Sequence, residues 1–183
     1  MGKLTNIDIE KFHIPRWDEL PSIDLYLDQV VTLINNCLTP YIFCGEDENE
    51  CTYILTKTMI NNYVKHEIIE PPIKKQYTRL QVAKIFAICV LKQVYSMHDI
   101  KNLLTIALNG STAQNSYNKF CNLFEKALQC TYQKVDFIDK NRGNDNVYLL
   151  KSVLLSCSYK IYVQNICAKK IQKSNAHNKL YDM

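Results

Sequence analysis

Apolar residues recur at intervals of three and four along most of the chain, and long alternating runs are absent. This spacing is typical of amphipathic helices rather than half-buried strands. It predicts helices over about 22–38, 56–66, 78–94, 96–108, 112–132 and 145–172. Pro71 and Pro72 lie in the one extended segment, because proline lacks an amide proton and disfavours helix at the residue before it. The pattern predicts a mainly α protein with one small wing at about Glu67–Tyr77.

Three of these segments carry more specific expectations. Ser22 is placed to cap the first helix, with Asp24 in its first turn. The stretch Val82–Leu91 is nearly all apolar, which predicts a buried central helix. The stretch Asp145–Gln172 is apolar on nearly every side, so it must be covered on several sides. Either a second copy of the chain covers it, or the helices at 112–132 and 22–38 do so within one chain.

Charge is distributed unevenly along the chain. The net charge of +4 divides into −7 for residues 1–51, +5 for 52–108 and +6 for 109–183. A basic middle and end suit an anionic partner, although an ordinary solvated surface gives the same balance. Lysine supplies 19 of the 22 basic residues, and the bias towards Lys, Asn, Ile and Tyr fits A/T-rich codons. The charge therefore indicates a partner only once the positions of the charged residues in the fold are known.

Cysteine and histidine spacing gives little support for catalysis or metal binding. The eight cysteines form no CxxC pair, and no histidine follows at zinc-finger spacing. Reduced, mostly buried thiols in a cytoplasmic protein are expected, with a metal site at Cys37, Cys44 and Cys51 as the minor alternative. The acidic run 46–50 lacks the glycine of a calcium loop. We expect no catalytic residue, no bound metal, no cofactor and no membrane span.

Three blocks in the middle of the chain carry a family resemblance. Met59–Pro71 reads MINNYVKHEIIEP, the second block is Lys75-Gln76-Tyr77, and Val94–Leu104 reads VYSMHDIKNLL. In order and spacing they resemble the blocks T-I-R-Y-Y-E-x-x-G-L-L-x-P, Y-R-x-Y and G-x-S-x-x-E-I-x-x-L-L of MerR-class winged helix-turn-helix regulators. The phrases WDELPSIDLYLDQ and LTKTMINNYVKH also look like a bacterial family known only as a domain of unknown function.

The resemblance implies a recognition helix, a basic wing and two following helices. The protein would then be a sequence-specific, double-stranded-DNA-binding transcription regulator. The alternative is a protein-interaction module that kept the winged fold without DNA binding. Asparagine amides can read adenine, whereas wing lysines and arginine suit phosphates. The candidate DNA-binding residues are Lys57, Thr58, Asn61, Asn62, Lys65, Lys74, Lys75, Tyr77 and Arg79. For Tyr77, packing of the wing against the core is the competing role.

The resemblance also implies a domain organisation and an oligomeric state. MerR-class proteins pair through a long C-terminal helix, so we expect a homodimer, and an unidentified small-molecule effector stays open. The expected fold is a winged helix-turn-helix core with an extra N-terminal helix and long C-terminal helices. The predicted parts are 1–21, an irregular segment; 22–110, the DNA-binding domain; 111–173, a helical dimerisation or effector region; and 174–183, a flexible tail.

Overall fold

The computed structural model describes residues 9–42, 53–137 and 145–181. Within these residues the chain is mainly helical, as the spacing predicted, with a small two-stranded sheet. Two short 3₁₀ turns, Ile9–Lys11 and Trp17–Glu19, precede the regular elements. The elements are β1 (Leu25–Tyr26), α1 (Leu27–Leu38), α2 (Lys57–Lys65), β2 (Gln76–Tyr77), α3 (Arg79–Leu91), α4 (Met97–Leu108), α5 (Ala113–Gln133) and α6 (Asp145–Tyr181).

The starts of four helices are set by hydroxyl caps. Thr56 and Thr112 each accept a hydrogen bond from the amide three residues further on. Thr78 and Ser96 form reciprocal capping boxes with Gln81 and Asp99. Each pair satisfies amides that an α-helix leaves without an internal partner. The predicted starts of α2, α3 and α4 are thereby confirmed.

The first helix begins later than predicted. Ser22 does not cap it; the helix starts at Leu27, and Ile23 is 71% exposed. Leu25 and Tyr26 instead form a strand antiparallel to β2, with Leu25 opposite Tyr77. This pairing satisfies backbone groups and buries Leu25, which a helix starting at Ser22 would forgo. The helical spacing of Ile23 and Tyr26 was therefore misleading.

Helix α3 is the centre of the core, as its continuous apolar stretch predicted. Between Val82 and Leu91 every residue except Lys84 is buried. The helix contacts α4, α5, α6 and β2. Helices α5 and α6 pack along each other, and Leu154, Cys157 and Ile161 of α6 are fully buried. Much of the apolar surface of α6 is thus covered by α5 and α3 within one chain.

The described part of the N-terminal segment has little regular structure, but contacts with α5 hold it in place. Arg16 forms a two-pronged pair with Glu125 of α5, at 2.7 and 2.5 Å. The Glu125 carboxylate also accepts the amide of Ile14 at 2.7 Å, and Asn118 accepts the amide of Trp17 at 2.8 Å. The hydrogen bond to Glu125 is the main reason that the pKa of Arg16 lies above its usual value. Sequence spacing could not reveal contacts between residues over a hundred positions apart.

The last helix also departs from its predicted limits. It continues past Gln172 to Tyr181, where a loose tail from residue 174 was expected. Among the described residues, no helix is both long enough and apolar enough to cross a bilayer. The acidic run 46–50, Cys44, Cys51 and most of the polar stretch 139–145 lie outside the described residues.

Candidate nucleic-acid interface

Helix α2 separates an inward apolar face from an outward polar one. Ile60 and Tyr63 are buried. The side chains that point outward, all exposed, are Lys57, Thr58, Asn61, Asn62 and Lys65. Because residues three and four apart share a helix face, Thr58, Asn61, Asn62 and Lys65 form one polar surface. These side chains are therefore accessible to an external partner.

A tight two-residue turn follows α2 and an extended segment. The amides and carbonyls of Ile73 and Gln76 exchange hydrogen bonds at 3.0 and 2.9 Å. Lys74 and Lys75 occupy the two central positions, with φ angles of 50° and 67°. Two positive φ values in such a turn define type I′, for which Asn-Gly is preferred. Placing two lysines there strains the backbone, since a side chain disfavours the left-handed region.

The backbone around the turn is anchored from behind. The buried Gln81 amide donates to the carbonyl of Glu70 at 2.8 Å, and Ile68 and Ile69 are buried. Lys84 pairs with the Glu70 carboxylate at 2.6 Å. Partial burial raises the pKa of Glu70, but the Lys84 hydrogen bond, a backbone hydrogen bond and the Lys84 charge together outweigh it, so this pKa lies below its usual value. The turn therefore projects from a fixed base.

The basic candidates differ in their partners. Lys57 pairs with Asp28 at 2.5 Å, although both side chains are well exposed. Lys65, Lys74 and Lys75 are exposed and form no ion pair within the described residues. Exposed ion pairs contribute little stability, so Asp28 limits the positive field of Lys57 without holding the lysine firmly.

Two predicted contact residues are placed where they serve the scaffold. Tyr77 is 3% exposed and pairs with Leu25 in the sheet, and burial raises the pKa of its hydroxyl. Arg79 is half-buried; its Nε donates to the carbonyl of Pro21 at 3.2 Å, and its guanidinium lies 5.9 Å from the ring centre of Trp17. We therefore remove both from the candidate contact set. Their basic or aromatic character identified them in the sequence, but that character also suits packing.

Acidic side chains flank the same region. Glu67, at the end of α2, has a φ of 55° and pairs with Lys101 at 3.4 Å. Glu70 pairs with Lys84, as above. The candidate surface is therefore a polar helix face and a lysine turn, bordered by ion pairs. Sequence reasoning missed the strained geometry of Lys74 and Lys75, because neither residue type signals a type I′ turn.

Comparison with known proteins identifies a family but indicates no activity. The family model for a domain of unknown function, DUF1836, matches residues 15–127. This range covers more than half of the chain, so the protein belongs to that family. It includes α1 to α4, most of α5 and the Arg16–Glu125 pair. No curated protein and no solved structure matches the chain.

Proposed function

We propose that this protein is a sequence-specific regulator that binds double-stranded DNA through α2 and the Lys74–Lys75 turn. The observation that carries the proposal is the exposure of both features. Within the described residues the side chains of Thr58, Asn61, Asn62, Lys65, Lys74 and Lys75 form no hydrogen bond or ion pair. Helix α1 contacts α2 and β2 alike, so the two features belong to one packed unit. Duplex DNA is a regular polyanion, and a rigid arrangement of cations and amides suits its repeat.

The two features have different roles in the proposal. Asn61 and Asn62 offer a donor and an acceptor on one planar amide, which is the pattern that reads adenine in the major groove. Thr58 and Lys65 flank them on the same helix face. Lys74 and Lys75 carry charge without a base-reading pattern, so they bind phosphates and fix the orientation of the helix. Lys57 contributes less, because Asp28 competes for it.

In this proposal the described core is a MerR-like winged helix-turn-helix. The order of helix, short sheet with a tight turn, and two further helices supports it. The wing differs from a simple hairpin, because β2 pairs with β1 from before the first helix. The resemblance of the three sequence blocks supports the same reading. Matches to curated proteins and to solved structures add no support to it, because there are none.

The test is fluorescence anisotropy on duplexes obtained by random-site selection and on scrambled duplexes, over a salt series. Replacing Asn61 or Asn62 by Ala should cost about 1–3 kcal/mol on the selected site and little on scrambled DNA. Replacing Lys74 or Lys75 by Ala should weaken binding to both duplexes and lower the salt slope by about one unit.

The exposed Lys160 of α6 provides the matched control, since Lys160→Ala removes the same charge away from α2 and the turn. Wild-type protein without sequence preference or salt dependence would refute the proposal. If wild type binds selectively but both asparagine variants are silent, the assignment of α2 to base contacts is wrong.

The proposed regulator acts as a homodimer paired along α6. After packing by α5 and α3, this helix still exposes Tyr148, Tyr159, Val163 and Ile171, each by more than half of its surface. Tyr148, Tyr159 and Val163 lie within a narrow arc of the helix, which suits a two-fold pairing. Sedimentation equilibrium should give a dimer mass for wild type and a monomer mass for Tyr159→Glu with Val163→Glu. A monomer mass for the wild-type protein would refute the proposed dimer.

A protein-interaction module is the second candidate function. The observation that favours it is the border of ion pairs, in which Asp28, Glu67 and Glu70 offset three lysines near α2 and the turn. The same salt series distinguishes a DNA-binding protein from a protein-interaction module. A module of this kind shows no counterion-release slope with any duplex.

A further inference from the structure

A cavity of about 420 Å³ lies between α3, α4, α5 and the beginning of α6. This volume falls within the range of about 300–1,000 Å³ that is typical of small-molecule sites. Most of the wall is apolar, with Leu80 and Ala87 from α3, Leu104 from α4, Phe120 from α5, and Leu150 and Val153 from α6. The cavity is partly open to solvent, so a ligand can enter it without disrupting the core.

Exposed apolar side chains border the same cavity. Ile106 and Leu108 of α4 and Leu149 of α6 line it and are 42%, 36% and 38% exposed. Apolar side chains at the rim of an open cavity stay in contact with water unless a ligand covers them. Their exposure indicates an occupant with an apolar body.

The charged groups of the lining have one sign. Lys84 and Lys119 line the cavity, and no carboxylate does so among the described residues. Lys84 is engaged with Glu70, whereas Lys119 is exposed and forms no ion pair in the described part of the chain. An apolar wall with one cation that lacks a counter-charge complements an amphipathic anion.

Tyr117 borders the cavity but does not supply its polar contact. Burial raises the pKa of the Tyr117 hydroxyl, and the groups that act on this hydroxyl are Cys121, Cys37 and Arg16, none of which lines the cavity. The hydroxyl therefore faces α1 and the N-terminal segment, and Lys119 is the cation that remains for a ligand.

We propose that this cavity binds an apolar carboxylate, with its body against α3, α4 and α6 and its carboxylate at Lys119. The walls belong both to the helices that follow the candidate wing and to the C-terminal helices. The inference does not rest on DNA binding, because the cavity and its lining are separate from α2 and the turn.

The test uses decanoate, 1-decanol and decylamine as probes of one chain length, measured by titration calorimetry on the full chain without DNA. Trp17 provides a second readout, since it is the only tryptophan and its ring centre lies 6.4 Å from that of Tyr117. Decanoate should bind most tightly and decylamine least. Lys119→Ala should weaken decanoate about fivefold, which is the upper range for an exposed ion pair, and leave decanol unchanged. Lys160→Ala is the charge control.

A second variant tests the location. Ala107 lines the cavity and is exposed, so Ala107→Phe should fill the space without disturbing the fold and reduce binding of decanoate at least tenfold. Thr105→Phe adds the same ring to an exposed position of α4 outside the lining and should leave binding unchanged.

Three outcomes would overturn the proposal. The first is no binding of decanoate, and the second is equal binding of decanoate and decanol that Lys119→Ala leaves unchanged. The third is a dimer in wild type that Ala107→Phe converts to a monomer, because a second copy then occupies the cavity. The first two outcomes do not bear on the DNA titration, and failure of the DNA titration leaves them unaffected.

Discussion

Two groups of basic side chains in this protein look alike in the sequence and behave differently in the fold. Arg16 and Arg79 bind carboxylates or backbone carbonyls and connect the N-terminal segment to the core. Lys65, Lys74 and Lys75 extend into solvent without an ion pair within the described residues. A basic residue is therefore a candidate for an external anion only after its internal partners are known.

The largest expected effect belongs to the Arg16–Glu125 pair. Arg16→Met should lower the free energy of unfolding by about 1.5–3 kcal/mol, because Glu125 loses a charge-assisted hydrogen bond while remaining mostly buried. Urea unfolding measures the change. Arg16→Lys should restore only part of the stability, since lysine cannot form the two-pronged pair. Equal stability of Arg16→Met and wild type would mean that the N-terminal segment does not contribute to the core.

The effect of Arg79→Ala on stability is expected to be the next largest. This variant tests directly whether Arg79 serves the scaffold or the DNA interface. Loss of its contacts with Pro21 and Trp17 should lower the free energy of unfolding by about 1 kcal/mol. The salt slope of DNA binding should stay as in wild type, whereas Lys74→Ala should change the slope and leave stability nearly unchanged. If Arg79→Ala lowers the slope by a full unit, Arg79 belongs with the solvent-exposed group after all.

A substitution in the strained turn should have smaller effects, which are opposite in direction for stability and for DNA binding. Lys75→Gly should raise the free energy of unfolding by about 0.5–1 kcal/mol, because glycine adopts a positive φ without the side-chain penalty. The same variant should weaken DNA binding by the loss of one phosphate contact. Thermal unfolding and anisotropy measure the two changes.

Lys134 is the matched control for that experiment. It ends α5 with a φ of 58°, so Lys134→Gly should stabilise the protein to a similar extent. It should not alter DNA binding. A parallel loss of DNA affinity in both variants would assign the effect to net charge rather than to the turn.

The smallest expected effect concerns Lys57. This residue is exposed like the second group but has an internal partner like the first. Asp28→Ala should leave the free energy of unfolding within about 0.5 kcal/mol of wild type, because both partners are well exposed. DNA affinity should rise by about twofold to fivefold as Lys57 becomes available to phosphate. Lys57→Ala in the same background should abolish the gain. An unchanged affinity in Asp28→Ala places Lys57 outside the interface.

The helices and most of their starts could be predicted from the residues alone. These features depend on local rules, namely the 3.6-residue repeat and hydroxyl caps such as Thr56, Thr78 and Ser96. The sequence also predicted that α3 is buried, because its residues Val82–Leu91 offer no polar face except Lys84. The family resemblance of this region extended the same information and supplied the functional hypothesis.

Contacts between distant residues, by contrast, set which cations are available and where the first helix begins. Leu25 forms a strand because Tyr77, far along the chain, offers it a partner. Arg79 is engaged because Trp17 and Pro21 lie beside it, and Lys74 and Lys75 are strained because their turn must close between Ile73 and Gln76. Each of these features depends on a contact between distant residues or on the closing of a tight turn. The spacing of residues in the sequence encodes neither. The physical reason is that local patterns fix which elements form, whereas burial and pairing between distant residues fix which side chains stay free.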